Sequence, residues 1–82
     1  MNLKQMEYFT AIVGEGSISG AARSLHISQP PLSAQMRQLE EELGVTLFDR
    51  GSRAIRLTEA GRLFYNRAVS ILEMTKAARK EL

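Results

Sequence analysis

The stretch HISQPPLSAQMRQLEEEL, residues 26–43, decides the fold. Its apolar residues Leu32, Met36, Leu39 and Leu43 recur at i, i+4, i+7 and i+11, which is one stripe of an amphipathic helix. Gly44 follows at once and ends it, since glycine suits the left-handed C-cap. The helix opens on two adjacent prolines. They are tolerated in a first turn because the amides they lack have no intrahelical partner there, and their preset φ makes the path of the chain into the helix rigid. At about 100° per residue, Ala34 falls nearly opposite the apolar stripe, flanked by Pro30, Arg37, Gln38 and Glu41. The outward face is therefore small and uncharged at its start and acidic only at its end, at Glu40, Glu41 and Glu42.

Upstream, the turn HIS (26–28) separates this helix from a shorter one over GAARSL (20–25), whose Ala21, Ala22 and Leu25 form a small apolar face that another helix can approach closely. Ser19 is its expected N-cap, with Ser17 and Ser28 as further capping candidates. Asn2 caps a first helix, Gln5 completes a capping box three residues on, Leu3, Met6, Phe9 and Val13 make the stripe, and Gly14 and Gly16 stop it. Downstream, VTLFDR (45–50) and AIRLT (54–58) read as two short strands around Gly51 and Ser52, a hairpin with Arg50 and Arg53 at its tip. Thr58 then caps a last helix that runs from about Glu59 to the end, roughly 36 Å long at the usual rise. Gly61 in its first turn signals close backbone packing. The fold expected is mainly α: a winged helix-turn-helix of three helices and a two-stranded wing over residues 1–58, followed by a long helix over 59–82.

Composition narrows the function classes. A chain of 82 residues buries a small core, so a partner that adds buried area is expected. There is no cysteine and one histidine, His26, which excludes disulfides and thiolate sites and makes a metal site a poor reading. No apolar run approaches the roughly 20 residues of a membrane span, and Met1 to Phe9 is not a signal peptide, so a cytoplasmic protein is expected. The net charge is only +2, but Arg50, Arg53, Arg56, Arg62 and Arg67 face only Glu59 within their stretch. Such segregation is the footprint of an anionic partner.

Double-stranded DNA fits that partner. Alanine at 34 lets the first two turns of the proline-led helix enter a major groove, where the proline rings suit thymine methyl groups and Gln29 suits a base edge. Glu40, Glu41 and Glu42 would be repelled by phosphates, so only the N-terminal half approaches. Ser19 and Ser28 can bind phosphate where they cap. His26 is read as a packing or solvent-exposed turn residue rather than a pH sensor, and the aromatic residues as core rather than a base-stacking platform.

The series AARSLHISQPPLSAQMRQLEEELGVTLFDR (21–50) followed by LTEAG (57–61) strongly resembles the amino-terminal domain of LysR-type transcriptional regulators, and the likeness runs from the first helix through the last. The resemblance implies sequence-specific DNA binding by a dimeric bacterial regulator. It places Ser28 to Ser33 at the groove, with Gln29, Pro30 and Pro31 near bases and Ser33 near a phosphate, and assigns Arg50 and Arg53 to a wing that meets the flanking backbone and minor groove. The chain departs from the family pattern at Ala34, where many members carry arginine, and Arg37 is the candidate substitute.

The resemblance also implies that the last helix is a linker that pairs with its twofold mate, so that two recognition helices read an interrupted inverted repeat. The sequence agrees: Ala60, Phe64, Ala68, Ile71, Thr75 and Ala78 form one stripe, broadened by Leu63, Val69, Leu72 and Met74. Leu63, Phe64, Ala68, Ile71, Leu72 and Thr75 are the dimerisation candidates. The chain ends in TKAARKEL, helical in character and without a terminating glycine or proline, as expected of a fragment whose effector-binding domain lies beyond it. No cofactor is expected in this domain; a small-molecule effector belongs to the missing one. Two other readings use the same residues: a winged-helix DNA binder without a sensor domain, and a protein-interaction module docking through the last helix. Steep salt dependence would argue against the second. An enzyme has no support, for no nucleophile–base pair, carboxylate pair or metal spacing occurs.

Overall fold

The computed structural model describes residues 1–49 and 54–82. The elements follow in the order α1 (Leu3–Glu15), α2 (Ile18–Leu25), α3 (Gln29–Leu43), β1 (Phe48–Asp49), β2 (Arg56–Leu57) and α4 (Glu59–Glu81). The strands pair antiparallel, Phe48 opposite Leu57 and Asp49 opposite Arg56. They are shorter than the hydrophobic runs suggested. Thr46, Leu47, Ile55 and Thr58 lie outside the ladder, and Leu47 and Thr58 serve other bonds. The winged helix-turn-helix with a long following helix is thus the observed architecture.

The first helix starts as its sequence predicts. The Gln5 amide donates to Asn2 Oδ1 at 2.8 Å and the Asn2 amide to Gln5 Oε1 at 3.2 Å, a complete capping box. Its buried side is Gln5, Met6, Phe9 and Ile12. Leu3, expected in the stripe, is exposed, and Val13 is half-buried at the core's margin. The shorter helix is capped by Ser17, whose hydroxyl accepts from the Gly20 amide at 3.0 Å, and not by Ser19, which sits one residue inside the helix. Starting earlier lets Ile18 join Leu25 on the margin of the core.

Phe9, at the centre of the core, is fully buried, and three aromatic rings surround it: Phe64 at 5.0 Å edge-on, Phe48 at 5.2 Å and Tyr65 at 6.5 Å between centroids. Residues from α1, the wing and α4 therefore meet on one side chain. Leu32, Met36 and Leu39 close the core from α3, and Ala21 and Ala22 from α2. Among the described residues no helix is long and apolar enough to cross a membrane.

Candidate nucleic-acid interface

The turn between α2 and α3 spans His26, Ile27 and Ser28. His26 adopts the left-handed conformation, φ 58°, as the C-cap of α2, and its amide reaches back to the Ala22 and Arg23 carbonyls. Ile27 also donates to Ala22, at 3.0 Å. Three bonds onto two neighbouring carbonyls reverse the chain within three residues and hold α3 at a set angle to α2. The His26 side chain stays exposed.

Ser28 occupies the N-cap of α3 in extended geometry but makes no side-chain cap bond. Of the amides that a helix start leaves without an intrahelical partner, the prolines abolish their own two. What the tip of α3 presents is then the Ser28 hydroxyl, the Gln29 amide side chain and two proline rings. Ser28, Gln29, Pro30, Pro31, Ala34, Arg37 and Gln38 are all exposed and Ser33 is half-buried, whereas Leu32, Met36 and Leu39 on the other side are fully buried. The wheel drawn from the sequence thus has the right azimuth. The ridge is low where Ala34 stands and cationic at Arg37, so a groove wall can come near the helix without displacing a bulky side chain.

The acidic end of α3 is not uniform. Glu41 and Glu42 are exposed, and Glu42 pairs with the N-terminal ammonium of Met1. Glu40 is half-buried and holds the wing in place, since its Oε2 accepts from the Leu47 amide at 2.7 Å and the Phe48 amide at 3.3 Å. Glu40 therefore has a structural task besides its charge, tying the start of β1 to the last turn of α3. Sequence reasoning missed this role because the partners are backbone amides, which no residue type announces.

The wing's candidate contacts, Arg50 and Arg53, lie outside the described residues. What is visible is how its base is anchored. Thr58 donates through Oγ1 to the Thr46 carbonyl at 2.6 Å and accepts from the Gly61 amide at 3.0 Å, while its own amide donates to the Leu47 carbonyl at 3.0 Å. One threonine thus caps α4 and clamps it to the segment that leads into β1. Ser19 is exposed in the first turn of α2, so its hydroxyl faces solvent there although it does not cap.

On α4 the six dimerisation candidates separate. Ala68 is fully buried within the chain and Phe64 packs edge-on to Phe9, so Ala68 is withdrawn from any outward face. Leu72 and Thr75 line a groove against α1, opposite Leu3, Glu7 and Ala11. Leu63 points outward at 63% exposure, joined by Met74 at 67%, and Ile71 is half-buried between the two sectors. The physical reason is that α1 needs an apolar strip of α4 to complete the core, and the stripe read from sequence is largely that strip.

Known proteins share this sequence pattern and this fold. Residues 3–62 match the family model described as bacterial regulatory helix-turn-helix protein, lysR family. The probable cat1 operon transcriptional activator of Acinetobacter lwoffii is 51% identical over 72 residues, covering 88% of this chain and 24% of that protein. A crystal structure of the BenM DNA-binding domain in complex with catB site 1 DNA superposes with a TM-score of 0.96 at 43% identity, covering 99% of this chain and 91% of that one. The CbnR DNA-binding domain–DNA complex gives a TM-score of 0.93 at 42% identity, with 99% and 93% covered. The chain spans between 24% and 54% of the length of three curated relatives it matches.

Proposed function

Because the chain belongs to the lysR family of bacterial regulatory helix-turn-helix proteins, we propose that it is the DNA-reading part of a dimeric transcriptional regulator. The N-terminal turns of α3 enter the major groove of an operator, with Gln29 bonding a base edge, the Pro30 and Pro31 rings against thymine methyls, and Ser28, Ser33 and Arg37 on phosphates. Ser19 meets the backbone from α2. Arg50 and Arg53 carry the wing to the flanking backbone and minor groove. A second copy joins across the outward sector of α4, placing its α3 about one helical turn, roughly 34 Å, along the duplex, to read an interrupted inverted repeat.

The observation that carries this reading is the exposed tip of α3 at Ser28 to Pro31 together with its low outer face at Ala34 and Arg37, which lies away from the buried Leu32, Met36 and Leu39. The role is binding rather than catalysis, in a cytoplasmic protein, and a small-molecule effector would act on a domain beyond these residues. The test is selection of bound sites from random duplexes, followed by titration of the winner across a salt series. An enriched interrupted inverted repeat with a steep salt slope supports the reading. A flat slope with no enriched site overturns it. Gln29→Ala should weaken binding to the winner by about 1–3 kcal/mol, blur its discrimination and leave the salt slope nearly unchanged.

A further inference from the structure

Among the described residues Gln5 is the polar side chain buried as deeply as the core, at 5% exposure, on the same side of α1 as Phe9 and Ile12. A buried amide is costly unless its groups are bonded. Here they are: Oε1 accepts from the Asn2 amide, and Nε2 donates to Gln35 Oε1 on α3 at 3.1 Å. No buried side-chain nitrogen or oxygen is left without a partner among the described residues. A methionine or leucine at 5 would continue the stripe without any such requirement, so the amide does something that apolar packing cannot.

Gln35 directly follows Ala34 and lies on the shoulder of α3, between the buried stripe and the exposed ridge, on the side of Pro31 and Gln38. Leu32, Met36 and Leu39 hold α3 against the core by contacts that have no preferred direction. Such contacts resist a small roll of the helix about its axis only through close packing. At a side-chain radius of about 6 Å, a roll of roughly 10° carries the reading atoms about 1 Å sideways, twice the span of good hydrogen-bond distances. The Gln5–Gln35 bond is directional and sits off the stripe, where it resists that roll.

We infer that the Gln5–Gln35 amide pair is a positioning device that fixes the azimuth of α3, so that operator discrimination depends on two residues that touch no base. The inference rests on the DNA-binding reading above. Gln35→Met breaks the bond and spares the capping box; Gln5→Met breaks both; Asn2→Ala weakens the cap and keeps the bond. Each is titrated against the selected duplex and a scrambled duplex across one salt series, with folding checked by circular dichroism. Gln35→Met should lower the preference for the selected duplex about tenfold, with binding to the scrambled duplex and the salt slope within about twofold of wild type. The double variant Gln5→Met/Gln35→Met should lose no more discrimination than Gln35→Met alone, because both remove one interaction. Asn2→Ala should melt earlier and discriminate as wild type does. Unchanged discrimination in folded Gln35→Met, or losses that add in the double variant, overturns the inference while leaving the DNA-binding reading intact. Should Gln5→Met fail to fold, Gln35→Met decides alone. A wild-type chain that enriches no site sinks both.

Discussion

Gly61 shows how one residue can be read correctly and yet incompletely. A glycine in the first turn of a capped helix announces close packing, but what approaches it is the carbonyl of Leu47, which would lie 2.1 Å from a Cβ at that position. Backbone cannot rotate aside as a side chain can, so Gly61→Ala must push α4 away from the segment that leads into β1. It should destabilise the domain by about 1–3 kcal/mol, the usual range for overpacking. In a domain of this size that lowers the melting temperature by roughly 4–8 °C per kcal/mol, readable by thermal circular dichroism. His26 makes the opposite point. Its left-handed backbone closes the turn before α3 where no glycine marks the position, and the enrichment of histidine in that conformation is the one weak signal the sequence carries for it.

At the scale of elements, the caps at Asn2 and Thr58 and the stop at Gly44 are local and legible, whereas the cap of α2 and the faces are not always so. Two neighbouring stripes pass through Met6 and Phe9, one including Leu3 and Val13, the other Gln5 and Ile12. A period of 3.6 residues permits either, and the position of α3 and α4 selects the second. Glu40 is the matching case on α3, since its helical neighbours say nothing of the strand that its carboxylate holds. Glu40→Ala should cost about 1.5–3 kcal/mol, because hydrogen bonds to a charged group are lost and two amides are left to find water. The Leu47 and Phe48 amides should exchange with deuterium markedly faster than those of Leu32 to Leu39. Equal protection in the variant would show that the β1 anchor lies elsewhere.

For the whole molecule the decisive feature is that α4 serves two masters. One sector, with Phe64, Ala68, Leu72 and Thr75, completes the chain's own core or lines the groove against α1, and the other, with Leu63 and Met74, faces outward. Under the dimer proposal, Leu63→Glu together with Met74→Glu should shift sedimentation toward the monomer at micromolar concentration while the melting of the monomer changes little. Ala68→Glu should instead unfold the chain, since a charge would be placed where no exposure exists. A doubly substituted chain that sediments like wild type would remove the outward sector from the dimer.

By itself the sequence determined the order of elements, the capping box at Asn2 and Gln5, the proline-led start of α3, its stop at Gly44, the Thr58 cap and the exposed ridge opposite Leu32, Met36 and Leu39. Each of these depends on groups within about a helical turn or two of one another in the chain, where capping, fixed φ and periodicity act. Only the tertiary structure decided that Gln5 reaches across 30 residues to Gln35, that Glu40 holds β1, that Leu47 lies against Gly61, and which sector of α4 is spent on the core. Those choices join segments far apart in sequence, through backbone groups and amides whose partners residue type does not disclose, and they are settled by how the helices lie on one another.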